Sequence, residues 1–329
     1  MPPHSNERPR RLRPAARGVL LCLASALAFS LLPFLADAAY DTGMGLPELL
    51  LIRFVVAAIA LWAIVVVRRL ALPNRRLAMI GLAMGGVGYA TQSALYFAAL
   101  PYNGPSLTTL LLYTFPVIVF IVLLARRKER ATPGRLLALV LALAGVAVVL
   151  SGSGTAALHP LGIALGLGAA LAYATYILVG AAVDESFDRI LLSAFVCTGA
   201  LVTYLVINLI TGGPTLDFEP AGWLWAGALG LVATAFALTT FFAGMRLIGA
   251  ASASIISCVE PVSTVLIGVT LFGDRLGALQ LFGALAVVTA VVLLQRRQTP
   301  LEELATIREA DEDQIGGQGK AGHSPEGSG

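Results

Sequence analysis

Residues 97–130 read FAALPYNGPSLTTLLLYTFPVIVFIVLLARRKER, and residues 242–275 read FAGMRLIGAASASIISCVEPVSTVLIGVTLFGDR. At an offset of 145 the two stretches align without a gap: Phe97-Ala98 falls on Phe242-Ala243, Gly104 on Gly249, Pro116-Val117 on Pro261-Val262, and Glu129-Arg130 on Asp274-Arg275. Matches between apolar residues are cheap, so the ordered Gly, Pro and acid–Arg landmarks carry the alignment. At an offset of 144, Ala26-Leu27-Ala28-Phe29 falls on Ala170-Leu171-Ala172-Tyr173, which extends the repeat to its first helix. The chain therefore reads as two related halves, 18–151 and 160–295.

What the halves are made of follows from composition. Hydrophobic residues form 57% of the chain and charged residues 12%, with a mean hydropathy of +0.84. So few charges cannot cover a water-soluble fold, and a disordered chain needs the opposite bias. A helix needs about 20 apolar residues to cross the hydrocarbon core. Ten segments meet that length: 18–36, 48–67, 77–99, 105–125, 134–151, 160–182, 190–211, 221–243, 250–272 and 277–295. No alternating barrel pattern is present. The expected fold is an all-α integral membrane protein, with ten transmembrane helices in two inverted five-helix repeats.

The inversion is read from charge. Five spans per repeat is an odd number, so the second repeat must enter the membrane upside down. The loop Arg126–Arg135 holds five basic residues and its counterpart, 273–277, holds one. The linker with Arg68 and Arg76 is matched by Thr211–Ala221, which has none. Opposite charge bias in equivalent loops is what opposite orientation requires. Arg8, Arg10, Arg11, Arg13 and Arg17 precede the first span. With the basic loops they predict that both termini face the cytoplasm, in a bacterial cytoplasmic (inner) membrane. The basic N-terminus, the apolar run and Ala36-Asp37-Ala38 imitate a signal peptide. The run is as long as a full span and has a counterpart in the second half, so it reads as a retained helix. Residues 1–17, basic, and 298–329, acidic and then rich in Gly and Ser, are expected to be disordered cytoplasmic tails.

Several side chains stand out against this apolar background. Glu260 lies about halfway along the ninth span, where a carboxylate costs about 2.5–3.5 kcal/mol on insertion scales. It should therefore face protein or water, beside Ser257 and Thr264 at helical spacing. It could carry a proton between conformations or serve as a structural hydrogen-bond acceptor, and the sequence leaves both open. Arg53 lies near the outer end of the second span and cannot shed its proton. It could snorkel to the interface, bind an anion or gate against an acid. Pro116 and Pro261 occupy equivalent mid-span positions, where a missing donor kinks the helix or builds a hinge. Polar stripes run along three spans: Tyr89, Gln92 and Tyr96 with Gly81 and Gly85; Ser106, Thr109, Tyr113 and Pro116; and Tyr173 and Tyr176 with Gly166 and Ala170. Together they could line a half-polar cavity, or singly make interhelical hydrogen bonds.

The ten spans, the repeated Phe-Ala…Gly landmark, and Glu260-Pro261-Val262 followed by Phe272-Gly273-Asp274-Arg275 resemble the EamA-like transporters of the drug/metabolite transporter superfamily. The resemblance covers about 18–295. Three departures are local: Asp274 stands where the family usually has Glu, Phe115-Pro116-Val117 replaces Glu-Pro-Val in the first repeat, and Lys128-Glu129-Arg130 stands where Gly-Glu-Arg is common. The resemblance implies a secondary transporter with a central cavity and with the fifth and tenth helices at its periphery. It does not fix the substrate.

The expected function is export of small organic solutes (metabolites, amino acids or drug-like compounds) by alternating access, with protons as candidate coupling ions. The expected partners are a small-molecule solute and the lipid bilayer; the chain leaves its oligomeric state open. No cofactor or metal is expected. There is no phosphate-binding loop, His4, His159 and His323 lie in tails or a loop, and Cys22, Cys197 and Cys258 are scattered in apolar runs. The basic segments flank spans, so no nucleic-acid partner is expected. Two alternatives come from other classes: a polytopic membrane enzyme acting on lipid-linked substrates, and an assembly factor without a transport cycle. The first would want several acids, His or Arg clustered at one membrane face. The second leaves the repeat symmetry without a use.

Overall fold

A computed structural model of the chain describes residues 13–151, 159–184, 186–214, 216–272, 277–279 and 281–293. Asp274-Arg275 and most of both expected tails lie outside the described residues. What is described is helical, with no strand among the described residues. Among the described residues seven helices are long and apolar enough to cross a membrane. Pro133–Leu150 (α7) and Leu281–Leu293 (α14), at the fifth and tenth positions, have shorter apolar runs.

The first span is α1 (Pro14–Phe29) and α2 (Leu32–Tyr40), broken at Ser30-Leu31 just before Pro33. The second is α3 (Leu46–Val67). The third runs through α4 (Arg75–Ala83), a π turn at Met84–Tyr89, and the first part of α5 (Ala90–Leu112). α5 keeps helical hydrogen bonding throughout yet doubles back on itself. The Tyr96 and Thr109 hydroxyls lie 2.9 Å apart, whereas thirteen residues of straight helix would separate them by about 20 Å. Its second part therefore begins the fourth span, which α6 (Phe115–Ala125) completes. The second half follows with α8 (Pro160–Ala182), α9 (Arg189–Ile210), α10 (Ala221–Gly230), a second π turn at Leu231–Phe236, α11 (Ala237–Ile248), α12 (Ala250–Ser257) and α13 (Val259–Phe272).

Local chemistry sets these boundaries. Proline occupies the first or second position of α1, α2, α3, α6, α7 and α8, where its missing N–H costs nothing. Asn74 caps α4 by accepting from the Leu77 amide, and Asp188 caps α9 by accepting from Ile190 and Leu191. The breaks obey the repeat. The fourth span breaks at Tyr113-Thr114 before Phe115-Pro116, and the ninth at Cys258 before Val259-Glu260-Pro261. The two π turns likewise occupy equivalent places in the third and eighth spans.

The two repeats interleave. The first span packs on the eighth and the third on the sixth, which are equivalent pairs under the repeat, while the second packs on the seventh. Without a hydrophobic driving force between helices in lipid, close backbone approach and hydrogen bonds do this work. Trp62 Nε1 donates to Thr198 Oγ1 at 2.9 Å, and Asn208 Nδ2 donates to the Pro47 carbonyl at 3.2 Å. Where the third span meets the seventh, a Cβ at Gly85 would collide with the Val196 carbonyl, and one at Gly199 with the Leu82 carbonyl. Both obstacles are backbone, so neither can turn aside. Gly85→Ala is expected to cost about 1–3 kcal/mol or more of stability through overpacking. Thermal unfolding of the purified variant in detergent checks this; an unchanged midpoint would show that the two helices are free to separate. α7 and α14 pack on each other at Gly145 and contribute nothing to the cavity described next, as expected for peripheral helices.

Candidate functional site

A cavity of about 380 Å³ lies among the first, second, third, fourth, sixth and ninth spans. Its lining comes from the later part of the first, third and ninth spans and the early part of the second and fourth. It therefore lies toward the end of the bundle that carries the turn at 41–45, away from the basic loops. Four of the helix interruptions serve it. Pro33, Tyr89 at the end of the first π turn, Tyr113 at the fourth-span break, and Glu260-Pro261 at the ninth-span break all line the wall. Seven of the residues expected from the sequence meet there: Arg53, Gln92, Tyr96, Tyr113, Tyr173, Glu260 and Pro261. Ser93, Thr109 and Thr264 add hydroxyls, and Phe29, Leu32, Phe97 and Val265 are among the apolar lining residues. Two expected residues do not line it. Pro116 is buried at the start of α6, and Tyr176 lies behind Tyr173, one helical turn further along the sixth span.

Arg53 does not snorkel. Its side chain is buried, with 4% exposure, and is held across the repeat boundary. Nε donates to Thr234 Oγ1 at 2.6 Å, and Nη2 donates to the Tyr89 hydroxyl at 2.8 Å and the Ala233 carbonyl at 3.4 Å. The guanidinium carbon lies 5.1 Å from the centre of the Phe54 ring and 5.8 Å from that of Tyr89. Thr234 and Ala233 belong to the second π turn and Tyr89 ends the first. One planar fork thus ties together both π turns, which Lys could not do with a point charge.

Glu260 sits in the first turn of α13, where the helix dipole favours an acid. The ninth-span break makes this possible: an uninterrupted helix has no N-terminus in mid-membrane. Tyr113, at the equivalent break in the fourth span, lines the same cavity as Glu260. Thr264 Oγ1 bonds the Glu260 carbonyl at 3.1 Å and the Ser30 carbonyl at 3.3 Å, tying the ninth-span break to that of the first. Among the described residues the only ion pair is Arg135–Glu129, near the basic end. Arg53 and Glu260 thus line one cavity without forming an ion pair. No group of His, Cys, Asp or Glu suited to a metal occurs among the described residues.

The cavity brings a cation and an acid together at the equivalent breaks of the fourth and ninth spans. The sequence profile of the EamA-like transporter family matches residues 16–151 and 160–296, both repeats in full. The chain belongs to the EamA-like transporter family. Among curated proteins it resembles an "Uncharacterized transporter" of Archaeoglobus fulgidus, 29% identical over 206 residues, covering 62% of this chain and 72% of that one. It also resembles the "Uncharacterized transporter YcbK" of Bacillus subtilis, 22% identical over 303 residues, covering 89% and 97%. A solved crystal structure shares the fold, with a TM-score of 0.75 at 18% identity over 84% of this chain and 97% of that one. As an EamA-like member it is a multi-pass membrane transporter.

Proposed function

We propose that the protein exports small organic solutes across a bacterial cytoplasmic membrane by alternating access, with both termini in the cytoplasm and Glu260 coupling proton movement to the cycle. The observation that carries this reading is the cavity itself. It lies toward one end of the bundle, is lined by both Arg53 and Glu260, and has the Tyr173–Tyr176–Phe242 aromatic contacts between it and the basic end. Arg53 suits a carboxylate, Glu260 an amine or a proton, and the tyrosines and apolar side chains an aromatic or aliphatic body. Inverted repeats give the cycle, because exchanging their conformations exchanges the open end.

Counterflow tests it. Proteoliposomes loaded with unlabelled amino acids, small carboxylic acids or cationic aromatic compounds are given traces of the labelled forms. Transient accumulation of one class above equilibrium is expected. Accumulation no greater than in empty liposomes for every class would overturn solute transport of this kind.

A further inference from the structure

A second recess, of about 230 Å³, lies at the opposite end of the bundle from the cavity. Arg126 and Lys128 follow the fourth span, Arg189 opens the seventh and Arg246 closes the eighth, and all four line it. Glu129, the one acid in the lining, is bonded to Arg135. Three helices, α6, α8 and α11, end at the recess and two, α9 and α12, begin there, so their dipoles, each worth about half a charge, nearly cancel, and the full charges of Arg126 and Lys128 decide the sign. Its floor is apolar, with Leu178, Met245 and Phe242. Charge bias in loops sets orientation wherever the side chains point. Convergence of four cations on one apolar-floored recess is a further fact, which orientation does not require.

Phe242 connects the recess to the cavity. Its ring centre lies 5.7 Å from that of Tyr176, which stacks at 6.1 Å on Tyr173, a lining residue of the cavity. Gly180 has no side chain to hold Phe242 away: a Cβ there would stand 2.7 Å from its ring. The septum between the two chambers is therefore a few aromatic rings thick. Tyr176 within it is 2% exposed, and its hydroxyl has no hydrogen-bond partner among the described residues. Leaving a buried hydroxyl unpaired is costly, and a path opening beside it would supply the partner.

We propose that the basic recess is a binding station for the oxyanion of a solute with an apolar body, a carboxylate or phosphate, on the path between the cavity and the basic end. This rests on the transport reading above. Arg126 and Lys128 hold the oxyanion, Phe242 and Leu178 the apolar body, and the Tyr176–Phe242 septum parts to connect the chambers.

Benzoate is a suitable probe and benzamide its neutral control, measured by titration calorimetry on the full chain in phosphatidylcholine nanodiscs at low salt. Benzoate is expected to bind and benzamide not. Affinity should fall about tenfold in R126Q/K128Q, as charge-assisted bonds are lost. It should hold in R75Q/R76Q, which removes two exposed charges elsewhere. Absence of benzoate binding, equal loss in both double variants, or no loss in R126Q/K128Q would each overturn the proposal. A lipid phosphate is the other source of the same chemistry. Phosphatidylglycerol that suppresses benzoate binding, and is retained by the wild type but not by R126Q/K128Q, would overturn the solute assignment in favour of a lipid headgroup. The two readings fail separately. Benzoate binding with the expected variant pattern, in a protein without counterflow, removes transport and leaves the station. Counterflow of an anionic solute with unchanged KM in R126Q/K128Q removes the station and leaves transport.

Discussion

Replacing Glu260 with Gln is expected to abolish pH-driven accumulation of solute while leaving solute-for-solute exchange within about threefold of the wild type. Gln matches the shape of the protonated acid and removes no charge pair, so insertion and folding should survive. What it cannot do is release a proton. A carboxyl that faces water in one conformation and a closed pocket in another differs in proton affinity between them, and that difference is the coupling. Accumulation driven by an imposed pH gradient in proteoliposomes separates the two activities. Unchanged accumulation would rule out Glu260 as the proton carrier. A variant that fails to fold would give the carboxyl a structural role at the ninth-span break.

Arg53→Ala should have the other large effect. It removes three charge-assisted hydrogen bonds, leaving the Tyr89 hydroxyl to find a new partner in a buried place and Thr234 Oγ1 with only its bond to the Leu229 carbonyl. A loss of about 3–5 kcal/mol is expected for such an uncompensated removal, enough to lower folded yield as well as transport. Arg53→Lys separates the two. The charge stays but the fork linking the π turns is lost, so the protein should fold while apparent solute affinity falls about tenfold or more. Expression, thermal unfolding and the concentration dependence of counterflow read these effects. Wild-type transport by Arg53→Lys would show that charge alone suffices, and by Arg53→Ala that the residue has no part in the cycle.

The sequence carried the repeat, the span count and most of the cavity lining, because each rests on a signal that is local or periodic. Pro116 and Pro261 marked the fourth- and ninth-span breaks at one offset. Gln92, Tyr96 and Tyr113 followed from helical spacing, and Glu260 from the cost of a charge in mid-membrane. What was not legible depends on contacts between helices. The Thr234 partner of Arg53 lies 181 residues away. It sits on a π turn whose sequence, Leu231–Phe236, is plain apolar helix to any periodic reading. The matching turn in the third span holds Gly85, Gly86 and Gly88, a cluster that could have flagged it. Pro33, which breaks the first span, was visible but has no proline at its counterpart in the sixth. Tyr173 and Tyr176 share a stripe, yet only the first reaches the cavity, since neighbours three residues apart on one face differ in depth by nearly a turn.

Access to one cavity position from both sides of the membrane tests alternating access most directly. Ser93 lines the cavity, and Ser93→Cys is nearly isosteric. The native Cys22, Cys197 and Cys258 are all buried and can be replaced by Ala to leave a single thiol. In oriented vesicles a membrane-impermeant thiol reagent added to either side should label Cys at position 93, and a transported solute should slow labelling from one side while speeding it from the other. Labelling from one side only, with and without solute, would mean that the cavity never changes the end to which it opens.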